Sequence, residues 1–236
     1  MGRTTEVTWF GTVFRPRFND HAFVPPTRTG NVIELAVPAW GDSGGNHATY
    51  DSFRSGTVKE TAELYRGGTL LASGWGYVQA EVPSLKGTYR LVHTGSREAT
   101  AEFPYSTSTR TEWTFTSAAP HSAQEPEQLP LVQLDYNLPT SADGKATRNA
   151  TLLVMPVHLA GAPPAALQTR KMELSYNDGA TWTTAPLTGR GNGNGNVSTV
   201  LKAPKAAQYV TTRVQARDTR GNTITQTVVR AAGIVR

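Results

Sequence analysis

The chain has no cysteine in its 236 residues. That excludes a disulfide framework, a thiolate zinc site and a cysteine nucleophile. It also lacks any apolar run near the roughly 18 residues that a membrane-spanning helix needs, so no membrane partner is expected. Acidic side chains are scarce, at 18 against 23 lysines and arginines, for a net charge of +5. The basic residues nowhere form a run of five and do not interleave with aromatics, so nucleic acid is not an expected partner. No stretch sustains a 3.6-residue period, and helices are therefore not expected. Met1-Gly2-Arg3 leads into a polar segment rather than an apolar leader, which reads as a piece excised from a longer protein.

What is present is strand text. Lys171 to Arg230 reads KMELSYNDGATWTTAPL, a glycine-asparagine loop, then YVTTRVQARDTRGNTITQTVVR. Apolar and polar residues alternate into the Asn177-Asp178-Gly179 turn and again on both sides of Asp218 to Asn222, the pattern of half-buried antiparallel strands. Further strands are expected over Thr5 to Phe14, Asn31 to Pro38, Val58 to Arg66, Leu70 to Ala72, Val78 to Val82, Gly87 to His93 and Thr109 to Thr116. In the second half they are expected over Leu131 to Tyr136, Asn149 to Leu159, Met172 to Tyr176, Trp182 to Ala185, Val197 to Leu201, Val210 to Asp218 and Thr223 to Ala231. Pro156 implies a bulge or an edge, because proline cannot donate to a ladder. Pro16, Pro25, Pro26 and Gly30 mark a loop.

The composition shifts at Ser117 to Pro126, a small, polar stretch with two prolines. The expected architecture is all-β, with two tandem β-sandwich domains. They would span residues 1–119 and 129–236, the second immunoglobulin- or fibronectin-like, joined by a linker at 120–128. Residues 1–124 hold 11 basic and 11 acidic side chains and residues 125–236 hold 12 and 7, so the second part supplies the whole +5. A face of that sign is drawn to an anionic surface such as a cell-wall polymer.

Several strings invite a chemical reading. Gly41-Asp42-Ser43-Gly44-Gly45 matches the nucleophile loop of chymotrypsin-like proteases, and Ser73-Gly74-Trp75-Gly76 matches a substrate-binding strand of the same family. That chemistry needs a histidine and an aspartate ahead of a late serine. Only His21 precedes Ser43, so the expected role of the loop is structural, with a serine hydrolase using Ser43 as the rival. Ser175 to Trp182 resembles the Asp-box, S-x-D-x-G-x-T-W, with Asn177 where aspartate is usual. Asn177 would bond turn N–H groups, Gly179 would take a left-handed angle and Trp182 would pack under the turn. One copy does not make a propeller.

Asp42, Asn46 and Asp51 could share a calcium ion if their loop folds back, whereas Gly189 to Asn196 offers a hard cation no carboxylate. No cofactor is otherwise expected. The histidines have no i+2 or i+4 partner, so no zinc motif exists. Glu60 with Glu63 and Glu125 with Glu127 are expected as solvated neighbours. Trp40, Trp75 and Tyr77 lie in or beside loops and could form a carbohydrate platform, with core packing as the expected fate of each and exposure the alternative. The candidate binding residues are therefore Trp40, Asp42, Ser43, His47, Trp75 and Tyr77, and no catalytic residue is assigned.

ETAELYRGGTLLAS, GTYRL, STSTRTEWTFTSA, LPLVQLDYNL, MELSYNDGATWTTAPL and VQARDTRGNTITQTVVRA resemble the non-catalytic C-terminal region of secreted subtilisin-like serine peptidases from actinobacteria such as Streptomyces. The resemblance runs from about Val58 to Arg230. It does not extend to the family's catalytic strings, because neither G-T-S-M-A-x-P nor H-G-T occurs. It implies an extracellular, non-enzymatic accessory region. Its expected partners are the protease domain in cis, a protein substrate or the cell-wall surface.

Overall fold

The structure, a computed structural model, describes residues 11–19, 24–43, 58–189 and 194–235. These residues form strands and no helix. The strands are β1 (Thr27–Thr29), β2 (Val32–Ala36), β3 (Val58–Arg66), β4 (Thr69–Gly74), β5 (Tyr77–Glu81), β6 (Gly87–Arg97), β7 (Ser108–Ser117) and β8 (Glu127–Gln128). They continue with β9 (Val132–Asn137), β10 (Lys145–Ala146), β11 (Thr151–His158), β12 (Leu167–Ser175), β13 (Thr183–Thr184), β14 (Val197–Val200), β15 (Tyr209–Asp218) and β16 (Thr223–Ile234).

Every strand expected beyond residue 30 is present, its ends shifted by a few residues. Two local expectations change. Gly11 to Phe14 lie outside any strand, and Arg15 makes only an isolated bridge to Gly41. Residues 5–10 of the expected first strand lie outside the described residues. Thr27 to Thr29, read as loop, pair with β2 across a two-residue turn in which Gly30 takes φ +54°, the turn geometry that short hairpins favour.

A nine-stranded sheet runs β13-β12-β15-β16-β7-β6-β3-β4, with β10 lying parallel to β16. Its main ladder is antiparallel throughout and does not close into a barrel. Two smaller sheets, β5-β2-β1-β8 and β14-β11-β9, contribute to the same core. One buried cluster draws Ile33, Leu35 and Val78 from the first of them and Leu134, Leu152 and Val197 from the second. Leu64, Leu91, Trp113 and Val214 of the long sheet complete it. The architecture is thus all-β and sandwich-like. Pro156 falls where the β14 pairing has ended, since that register stops at Val154↔Val197.

The expected linker, 120–128, lies between β7 and β9. Its last two residues are β8, which pairs with Thr27 and Arg28. Strands from either side of it meet directly: β7 and β16 pair from Thr114↔Thr223 to Ser108↔Val229.

The Asp-box-like segment folds as its residues dictate. Asp178 (φ +57°) and Gly179 (φ +91°) form the centre of a turn closed by the Ala180 N–H to the Asn177 carbonyl at 3.1 Å. These are the angles of a type I′ turn. Asn177 Oδ1 accepts the Thr181 N–H at 2.9 Å and the Ser175 hydroxyl at 2.8 Å. Its Nδ2 donates to Thr181 Oγ1 at 2.9 Å. Ser175 Oγ accepts the Gly179 N–H. A Cβ on Gly179 would come within 3.2 Å of the Trp182 ring, which packs under the turn. Arg230 ties the loop to β16 by bonding both Asp178 oxygens. Asn177→Ala should cost about 1–2 kcal/mol, since three neutral hydrogen bonds go but the site is half-exposed. Asn177→Asp, which keeps the acceptor, should restore most of that in urea unfolding. Equal losses for the two variants would contradict this account.

Candidate functional site

The Gly41 loop is stitched down on both sides. Arg15 and Gly41 exchange backbone bonds at 2.8 and 3.1 Å. The Ser43 N–H donates to the Gly11 carbonyl and its own carbonyl accepts the Tyr136 N–H. An oxyanion hole needs that N–H unengaged. Asp42 is buried at 2% exposure. Among the described residues no histidine is hydrogen-bonded to Ser43: His158 faces Asp218 at 3.2 Å, and neither His93 nitrogen has a hydrogen-bond partner. Gly44, Gly45, Asn46, His47 and Asp51 lie outside the described residues, and so does His21.

Trp40 is 3% exposed. It is no surface platform, because the Arg97 guanidinium stacks 4.2 Å over its ring and joins it to Phe103. Trp75 and Tyr77 are outside, at 50% and 37% exposure, on either side of Gly76. Tyr77 donates its hydroxyl to Glu34 at 2.6 Å, and that bond, with some burial, raises its pKa above the ordinary phenol value.

The two loops meet over a buried polar layer. A Cβ on Gly76 (φ +70°) would sit 2.5 Å from Glu60 Oε1. Glu60 Oε2 is 3.4 Å from His93 Nε2, and both side chains are at most 2% exposed. A Cβ on Gly95 would touch Thr109 Oγ1, the His93 ring and the Trp40 ring at 3.1 to 3.5 Å. Glu60 Oε2, both His93 nitrogens, Trp40 Nε1 and Thr109 Oγ1 are buried without a hydrogen-bond partner. Natural proteins leave few such atoms, because each costs about 1–3 kcal/mol. The sequence did carry a signal here. Glu60 alternates in phase with Ala62 and Leu64, and His93 with Tyr89 and Leu91, so both sit on the apolar face of their strands.

If Glu60 and His93 stabilise one another, removing either alone strands the other. His93→Leu and Glu60→Met should each lower stability by more than the double variant does, with coupling of at least about 1 kcal/mol. Additive effects in a double-mutant cycle would show that the pair is only adjacent.

The opposite, wet face of the long sheet is ordered in rows by the register. Thr61, Thr94, Arg110, Thr227, Arg213 and Glu173 lie side by side across six strands. Arg90, Thr114, Thr223 and Arg217 make a second row, and Glu63, Val92, Glu112, Thr225, Gln215 and Lys171 a third. With Lys59, this face carries six cationic groups against the three carboxylates Glu63, Glu112 and Glu173. Glu112 is shared by Arg90 and Arg110, and Glu173 by Lys171 and Arg213. The Arg213 hydrogen bond holds the Glu173 carboxyl below the usual carboxylate range, against partial burial and with help from Lys171. Arg213 also lies 4.2 Å over the Trp182 ring. Alternation alone makes these residues outward, but their alignment across strands needs the register.

No protein-family model matches the chain, and no curated protein matches it significantly.

Proposed function

We propose that the chain is a non-catalytic, extracellular accessory module of a subtilisin-like peptidase, and that it docks on an anionic cell-wall polymer through the wet face of its nine-stranded sheet. The observation that carries this reading is the excess of cations on that face among the described residues, six against three, spread over rows whose one apolar member named above is Val92. Such a face attracts a flexible polyanion by summed weak contacts rather than by one deep pocket. The phrases that resemble the subtilisin-like peptidases fall mostly on β3, β4, β6, β7, β9, β12, β15 and β16, the framework rather than a catalytic loop.

Arg110 and Arg213 flank Thr227 in the central row. The Arg110→Glu/Arg213→Glu variant should lose retention on Gram-positive walls bearing teichoic acid. The parent should be released from them by rising salt. Equal retention of parent and variant, or retention on walls stripped of teichoic acid, would sink the proposal.

A second reading, a carbohydrate-binding module, rests on the paired exposure of Trp75 and Tyr77. It predicts retention on chitin, cellulose or peptidoglycan that Trp75→Ala abolishes and the charge reversals leave unchanged.

A further inference from the structure

A cleft of about 680 Å³ opens where β1, the end of β7, β8 and the β15–β16 turn converge. At its wall is Arg28, among the most deeply buried side chains of the protein, at 1% exposure. The guanidinium donates from Nε to the Gly30 carbonyl at 3.0 Å and from one terminal nitrogen to the Pro83 carbonyl at 2.8 Å. The other terminal nitrogen makes a long contact of 3.4 Å to Ser117 Oγ. Three of its five N–H donors are thereby used, all on neutral acceptors. Among the described residues no carboxylate comes within ion-pair distance of it. Burying a cation without a counter-charge is costly, and proteins ordinarily supply one. The other two buried-side arginines near the core, Arg15 and Arg17, have theirs in Asp135.

Lys86, Arg220 and His121 line the same cleft and are exposed; among the described residues Glu127, which stands opposite Arg28 in the β1–β8 register, is the one carboxylate of the lining. The lining thus presents three permanent cations to one anion. Its volume suits a small molecule rather than a polymer.

We propose that this cleft binds a small oxyanion, a phosphate or carboxylate group, with the Arg28 guanidinium as its anchor and Lys86 and Arg220 closing over the ligand. Guanidinium matches the paired oxygens of both groups, and partial desolvation strengthens the contact. Glu127 opposes the bound charge. This site is separate from the wet face of the long sheet and does not depend on the cell-wall reading.

The test is a nuclear magnetic resonance titration of the full chain with inorganic phosphate in one arm and citrate in the other, at ionic strength held constant with chloride. Saturable shifts confined to amides around residues 116–119, 127–129 and 219–222 are expected. The arm that binds more tightly identifies phosphate or carboxylate as the group recognised. Arg28→Met should weaken binding by about tenfold or more, and Glu127→Gln should tighten it by about two- to fivefold. Should Arg28→Met fail to fold, Lys86→Ala/Arg220→Ala is the substitute and should weaken binding by about tenfold. Absence of saturable shifts in both arms overturns the proposal. So does an affinity unchanged by Glu127→Gln together with Lys86→Ala/Arg220→Ala.

Discussion

Replacing Arg15 with alanine is expected to lower the unfolding free energy by about 3–5 kcal/mol. Arg15 is fully buried. Its Nε and one terminal nitrogen both reach the Leu134 carbonyl, at 3.0 and 2.8 Å, and its other terminal nitrogen reaches the Gly41 carbonyl at 3.3 Å. It also bonds Asp135 at 2.7 Å and lies 5.6 Å over the Tyr136 ring. One side chain therefore holds the 11–19 segment, the Gly41 loop and β9 together. Burial lowers the Arg15 pKa to about 10, and Asp135 only partly offsets that. The environment thus tolerates the charge rather than favouring it. It follows that Arg15→Met, which fills the space without a charge, should cost less than alanine, about 1–2 kcal/mol. Asp135 is not stranded by either change, because Arg17 grips both its oxygens at 2.6 and 3.0 Å. Urea midpoints at constant slope measure both values. A methionine variant as unstable as the alanine one would mean that the hydrogen bonds, not the filled volume, dominate.

Trp113→Ala should cost a similar amount, about 3–5 kcal/mol, by a different route. Trp113 is completely buried in β7, tilted against Phe18 with ring centroids 5.8 Å apart. Its indole N–H donates to the Val132 carbonyl at 2.9 Å. The alanine variant loses a large transfer term and leaves a cavity between the long sheet and β9. Trp113→Phe keeps most of the volume and forfeits the hydrogen bond, so about 1–2 kcal/mol is expected. If phenylalanine were as damaging as alanine, the Val132 carbonyl rather than the cavity would set the cost.

The contrast between these two residues shows what could be read from the chain. The alternation in RTEWTFT puts Trp113 inward from the sequence alone, and it does the same for most of the strands. Arg15 gives no such sign. It sits in a stretch read as strand followed by proline loop, and its burial depends on a carbonyl 119 positions away. Arg28 is missed for the same reason, since Pro25, Pro26 and Gly30 mark its surroundings as loop. The glycines beside Trp40 leave both core packing and exposure open, and Arg97, from a strand far along the chain, decides for burial. Local turn chemistry was legible in full at Ser175 to Trp182, because each acceptor there lies within four residues of its donor. Long-range pairing is not written in any window of that length.

The pairing of β7 with β16 also governs how the chain can reach this state. The two strands are more than a hundred positions apart, and β16 sits between β15 and β7 in the middle of the long sheet. Until it arrives, β7 and β15 each present an open edge of ten residues. Such edges are templates for pairing with another molecule. A refolding chain is therefore at its most association-prone just before β16 is in place. Closure must also absorb the entropy of a very long loop, which makes it slow. On those edges Arg110 of β7 and Arg213 of β15 are each held by a carboxylate, Glu112 and Glu173, so little unbalanced charge is left there to keep half-formed molecules apart.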